Sequence, residues 1–294
     1  MSDVLAYWRY DNYKKDIAEG AGFNFNSNQQ RLHSLLDEGD SLWLVTGRSE
    51  AGRNRRAYYV VARLVIRSKT LNAPDYKYGK YRAWGDLETS KYYQVGTQEA
   101  SEILRNLPFA SNQKIGDKEA EIAQHLQTMR MLSQEATSLL EVWCAKLPIE
   151  EAAYQILPEE QLERAIEQDA EAVRKLIRET STGIAEYRLD HLVQQPIRSR
   201  SLIRQIHELY EGRCQVCGFD PLLIYGVEAS HAHHLVYLSR GGADTLQNMT
   251  LLCPNHHSVI HATNAVFDYG DLSFVFAPNH RERLALNRHL HFNT

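Results

Sequence analysis

The stretch CPNHHSVIH, Cys253 to His261, holds one cysteine and three histidines. Two residues separate Cys253 from His256, and two separate Cys214 from Cys217 upstream. Knuckles with matching gaps supply three thiolates and one imidazole, the donor set of a tetrahedral structural zinc site. A redox Cys-x-x-Cys pair opens a helix after a strand and needs no second knuckle, so the spacing favours zinc. Such an ion would substitute metal–ligand bonds for a large core. His257 and His261 are four apart, so a helix starting near Asn255 puts both on one face. Four residues on from His256 stands Ile260. The spacing therefore gives His256 to the knuckle and His257 with His261 to a second site. Upstream, SHAHHL contains His233 and His234, which on a strand point to opposite sides. One of them can bind a metal while the other faces a substrate. Between the clusters lies SRGGADTLQN, ending in Asn248.

Taken together, AHHLVYLSRGGADTLQNMTLLCPNHHSVIH resembles the HNH endonuclease motif, or ββα-metal fold, in its zinc-knuckle form. The resemblance covers about residues 197–265. It implies that His234 is the general base toward an attacking water and that His233, His257 and His261 bind one divalent ion, Mg²⁺ or Mn²⁺. It implies that Asn248 fixes the loop and so orients His234, and that the products carry 5′-phosphate and 3′-hydroxyl ends. Many relatives carry cysteine where this chain has His256, a mild change because imidazole is an ordinary zinc ligand. His231 and Glu228 lie outside the pattern and read as surface or supporting groups. An imidazole with an ordinary pKa of about 6.5 suits proton transfer at neutral pH. Arg198, Arg200, Arg204, Arg213 and Arg240 are candidates for backbone phosphate contacts, each weighed against a plain solvated charge.

Elements must position these groups. IRSRSLIRQIHELYEGRC from residue 197 reads as a basic amphipathic helix ending at Gly212, LIYGVEASHAHHLVYL as strand-like, and MTLLCPNHHSVIHATN as strand then helix. TSTG (180–183) and VQQP (193–196) read as the loop into this last domain. Residues 117–192 form a helical connector rich in Glu, Gln and Ala. Its acidity reads as a solvated face, with an apolar stripe free for a partner helix and hence a homodimer.

Residues 1–116 have β character. DSLWLVTGR and AYYVVARLVIRSK read as strands around a polar SEAGRNRR hairpin, and NQQRLHSLLDE as a short amphipathic helix. Phe23, Phe25, Tyr81 and Trp84 are candidates to wall a pocket that stacks on a flipped base, weighed against core packing, which is favoured for Trp8 and Trp43. YWRY followed by FNFNSNQQRLHSLLDEGDSLWLV resembles the EVE branch of the PUA superfamily. That resemblance implies a barrel-like base reader with Asn26 near the pocket, beside Ser27 and Asn28, and with Gly39–Asp40 before the strand that carries Trp43. Arg53, Arg55 and Arg56 would sit on a hairpin loop suited to a DNA groove.

The expected fold class is α+β, with an EVE-like sensor (1–116), a connector (117–192) and a zinc-stabilised HNH nuclease domain (193–294). An EVE-like reader joined to an HNH nuclease resembles a modification-dependent restriction endonuclease. The expected partner is double-stranded DNA with 5-methyl- or 5-hydroxymethylcytosine. The competing readings are an HNH nuclease whose first domain reads unmodified DNA, RNA or another ligand, and a zinc module that only binds nucleic acid.

The net charge of −4 argues against nucleic acid only until it is divided: about +4 over 1–116, −8 over 117–190 and 0 over 191–294. Four cysteines among 294 residues do not make a disulfide framework. The start MSDVLAYWRYDNYKKD lacks the pattern of a signal peptide and no long apolar run follows, which points to a cytoplasmic protein without a membrane span.

Overall fold

The computed structural model describes residues 2–49, 55–111, 115, 119–180, 186–276 and 280–292. The chain divides into two compact units: 1–17, 23–69 and 78–153 form one, and 18–22, 70–77 and 154–294 form the other.

The first unit contains β1 (Asp3–Tyr7), α1 (Tyr10–Glu19, ending in the second unit), β2 (Asn24–Ser27), α2 (Arg31–Ser34), β3 (Ser41–Ser49), β4 (Arg56–Leu71), β5 (Tyr81–Gly85), β6 (Lys91–Tyr92), α3 (Ser101–Asn106), α4 (Glu119–His125), β7 (Arg130–Met131) and α5 (Gln134–Cys144). The β-branched and aromatic runs predicted as strands become β3 and β4, paired antiparallel with a bulge at Leu44/Val45. The sheet runs β2-β5-β4-β3-β1-β7, with β6 on β4 and the β1–β3 pair parallel. It is an open path, and no closed barrel forms among the described residues. Leu5, Trp43, Val45, Tyr58 and Val60 of the sheet bury against Leu104, Ile122, Ala136 and Leu140 of α3–α5. The first half of the expected connector therefore spends its apolar stripe on this core.

The second unit contains α6 (Glu159–Gln168), α7 (Ala170–Thr180), α8 (Glu186–Tyr210), α9 (Pro221–Tyr225), β8 (His231–His234), β9 (Met249–Leu252), α10 (Pro254–Thr263), β10 (Val266–Asp268), β11 (Ser273–Phe276) and β12 (His280–Arg283). The predicted order of knuckle, strand pair and helix is present. β8 pairs antiparallel with β9, with His233 opposite Thr250 and His234 opposite Met249, and α10 follows at once with Pro254 at its first turn.

Two local readings change. VQQP is not a loop, because α8 runs through Pro196. Leu192 is buried with α6 and α7 on one side of the proline, and Ile206 and Tyr210 are buried with β8 and β9 on the other. Burial of side chains this size stabilises by about 1.5–3 kcal/mol each, enough to offset the roughly 3 kcal/mol an internal proline costs. LIYGV is not a strand either. Asp220 accepts the Leu223 N–H at 2.8 Å and Pro221 opens the turn, so the segment is the short helix α9. Among the described residues, no helix is long and apolar enough to cross a membrane.

Candidate active site and zinc cluster

The two knuckles meet as the spacing predicted. The ligand atoms of Cys214, Cys217, Cys253 and His256 lie within 4.8 Å of one another. His256 Nδ1 is 3.2 Å from Cys253 Sγ and 3.6 Å from Cys214 Sγ, and Cys217 Sγ is 4.0 Å from Cys253 Sγ. Burial pushes the Cys214 thiol up to about 12. A bound cation would favour the thiolate, so metal binding there would release protons. The far nitrogen of His256, Nε2, lies 3.1 Å from Glu282 Oε2 on β12. A carboxylate behind a ligand histidine fixes its ring and raises its basicity. Glu282 gave no signal in the sequence, standing well outside both knuckles.

The remaining histidines form a second cluster. β8 carries His233 and His234 in alternation, and one turn of α10 carries His257 and His261, whose Nε2 atoms are 3.3 Å apart. The His233 ring centroid is 4.7 Å from that of His261 and 5.5 Å from that of His257. His233 is 0% exposed, and neither of its ring nitrogens makes a hydrogen bond, although Nδ1 stands 3.3 Å from Glu163 Oε1. A buried imidazole left this way has the chemistry of a metal ligand. The donor set therefore fits a divalent ion. His231 stacks on His257 at 4.8 Å between centroids.

Asn248 fixes the intervening loop. Its Oδ1 accepts the Val236 N–H, and its Nδ2 donates to the Val236 and Ala243 carbonyls, each at 2.8 Å. Gly242 fits only as glycine, since a Cβ would stand 1.9 Å from the Val236 carbonyl oxygen. The folded loop delivers Asp244, whose Oδ1 lies 3.2 Å from His234 Nε2 and whose Oδ2 accepts from Ser199 Oγ at 3.0 Å. Nδ1 of His234 has no hydrogen-bond partner.

Sequence reasoning missed Asp244, although the quoted loop contains it. It also read α6 as a solvated acidic face, and the structure corrects this for Glu159 and Glu163. Spaced by one turn, both point inward and are buried. Glu159 accepts the Leu238 and Ser239 N–H groups at 2.7 and 2.8 Å. Burial raises the Glu159 carboxyl and the Glu163 charge adds to it. Burial also opposes the charge on Glu163, but the surrounding histidines outweigh it, His233 foremost, and hold that carboxyl well below the usual range. For His234, burial disfavours the imidazolium, yet Asp244 and Glu163 prevail and raise it to about 9.

A profile of the HNH endonuclease family matches residues 214–263. Residues 214–263 are an HNH endonuclease domain. The HNH relatives include the type IV methyl-directed restriction enzyme EcoKMcrA of Escherichia coli (strain K12), 33% identical over 95 residues, or 30% of this chain and 34% of that protein. Anaredoxin of Nostoc sp. (strain PCC 7120) is 32% identical over 69 residues, 23% of this chain and 82% of that protein. The chain thus spans about a third of the length of EcoKMcrA. A solved structure, the modification dependent TagI restriction endonuclease, aligns over 90% of this chain and 63% of that one at 13% identity, with a TM-score of 0.26. At that score the likeness sets neither fold nor activity.

The expected base-pocket residues fall differently. Phe23, Phe25, Trp43 and Trp84 are buried. Trp43 Nε1 donates to Asp3 Oδ1 at 2.8 Å, and Phe25 meets Trp8 edge-on. Asn26 accepts from Arg82 Nε at 2.7 Å, Ser27 Oγ accepts the Gln29 N–H, and the half-buried Tyr81 packs edge-on to His33. An open cleft of about 560 Å³ lies elsewhere in this unit, lined by Tyr7, Arg9, Tyr10, Arg48 and Arg56 among others.

Of the arginines expected at DNA, Arg53 and the side chain of Arg198 lie outside the described residues. Arg55 pairs with Glu99, and Arg240 donates to Asn264 Oδ1 at 2.6 Å. Arg200 and Arg204 line a cleft of about 870 Å³ that also holds Glu167, Glu208, Glu211 and Glu228. Carboxylates at those positions oppose a phosphate there.

Proposed function

We propose that this chain is a modification-dependent DNA endonuclease, with an N-terminal reader of modified cytosine and an HNH hydrolase. The observation that carries the hydrolase reading is the convergence of His233, His257 and His261 beside His234, in a loop pinned by Asn248. Dependence on modification is supported by the 33% identity to a methyl-directed restriction enzyme. The EVE-like resemblance of residues 1–116 supports the same reading, and the unit-one cleft adds two phenol rings and three guanidinium groups suited to a base and its phosphates.

His233, His257 and His261 would hold the hydrolytic ion, and Cys214, Cys217, Cys253 and His256 the structural zinc. A divalent ion in the first set would neutralise charge developing on the scissile phosphate and the leaving oxygen. This chain's own residues do the rest. His234, oriented by Asp244 at Nε2, would take the proton of an attacking water at Nδ1, its unpartnered nitrogen, in the neutral form that is favoured once a cation offsets the Glu163 charge that helps raise it. Asn248 holds the loop that presents Asp244. Two strands call for two such sites, so the proposed working form is a homodimer.

The test is digestion of matched plasmids with and without 5-methyl- or 5-hydroxymethylcytosine, in Mg²⁺ or Mn²⁺. Cutting confined to the modified plasmid is expected, and equal cutting of both would sink the sensor reading.

A further inference from the structure

Glu163 lies on α6, outside the segment that matches the HNH family. Its Oε2 stands 2.9 Å from His261 Nε2 and 3.2 Å from His257 Nε2. Its Oε1 lies 3.3 Å from His233 Nδ1 and accepts the His234 backbone N–H at 3.2 Å. The carboxylate thus occupies the point on which three imidazoles converge. Its ligand oxygen and the three histidine nitrogens lie within 4.8 Å of one another, and His233 offers no hydrogen bond to anything else. Three imidazoles and one carboxylate fill a four-coordinate shell such as zinc's, and four of the six positions of Mn²⁺ or Mg²⁺.

α6 is built to hold the group there. One turn earlier, Glu159 grips the Leu238–Ser239 backbone, and Leu162, Ala165 and Ile166 are buried against α7, α8 and Leu238. A hydrolytic metal site offers the scissile phosphate an anionic oxygen's place on the ion, and a buried carboxylate on that ion already takes one. Carboxylate and phosphate are both anionic oxygen donors, so they compete for the same place.

We propose that Glu163 is the fourth protein ligand of the hydrolytic metal site, and that the scissile phosphate enters by displacing it. The inference rests on the nuclease reading above for its second half only. α6 then both supplies a ligand at rest and holds the place that the phosphate takes.

Two measurements on the full chain test this, with zinc content and thermal unfolding as controls of fold. Titration calorimetry with Mn²⁺ alone, without DNA, reads the ligand role. Glu163→Gln is expected to weaken Mn²⁺ binding by more than about 100-fold, beyond the roughly 10- to 100-fold that loss of an outer-shell partner costs. Cleavage of modified plasmid at saturating Mn²⁺ reads displacement. There Glu163→Gln is expected to cut at least about tenfold faster, the gain when an open state populated at roughly a tenth becomes dominant. Glu163→Asp, with its carboxylate one methylene short, is expected between the two and serves if the glutamine variant does not fold. Mn²⁺ affinity weakened by about 100-fold or less overturns the ligand assignment, and cleavage no faster than wild type at saturating Mn²⁺ overturns displacement. If no variant and no wild-type protein cuts, the nuclease reading and displacement fall together, while the Mn²⁺ titration still decides the ligand role.

Discussion

One peptide bond separates His256 from His257, and the clusters they enter handle their carboxylates in opposite ways. Glu282 stands behind His256, against the nitrogen turned away from the sulfurs. Glu163 stands in front of His257 and His261, against the nitrogens that converge. A carboxylate behind a ligand stiffens a site without filling it, as befits an ion that never meets substrate. A carboxylate in front fills the place that substrate needs. In this chain the two clusters differ in the side of the ring that the acid occupies as well as in donor type.

The contrast breaks most sharply at the two neighbours. His256→Ala should lose zinc and its cooperative thermal transition, since zinc binding supplies roughly 10–16 kcal/mol in small zinc modules. His257→Ala should keep zinc and the transition while losing cleavage. Metal analysis, thermal unfolding and plasmid digestion on both variants check the division, and loss of zinc from His257→Ala would dissolve it. Next in size, His234→Ala should slow cleavage by about 10²- to 10⁴-fold with zinc and Mn²⁺ binding intact. Survival of full activity would remove His234 as the base.

Asn248→Ala leaves the Val236 N–H and two loop carbonyls without their partner. A loss of about 1–3 kcal/mol in denaturant unfolding is expected, with slower cleavage as the loop carrying Asp244 loosens. The smallest effect should come from Glu282→Gln, with zinc affinity in a chelator competition falling about tenfold and cleavage near that of wild type at saturating zinc.

What could be read from the chain was what repeats at short range. The two-residue gaps and the four-residue step on α10 grouped six side chains by spacing alone, and the resemblance to the HNH motif added His233 and His234. The β-branched runs likewise located β3 and β4. Groups brought in from a distance stayed hidden. Glu163 is 98 residues from His261, and an acidic helix with one inward turn looks in sequence like one with none. Asp244 was visible as a loop residue, but its reach to His234 depends on the fold that Asn248 imposes. Pro196 and LIYGV misled because tertiary burial and a side-chain cap overrode local preference.

The shared helix α10 also ties the two clusters together. Cys253 is its N-cap and His256 lies in its first turn, while His257 and His261 ride on the same backbone. Glu163 and the buried Ile260 hold the later histidines toward β8, and an ion on the first turn would fasten the other end of the same helix. Loading of the cysteine cluster is therefore expected to stiffen the histidine cluster as well, so that a chain stripped of that ion cuts DNA more slowly than a loaded one.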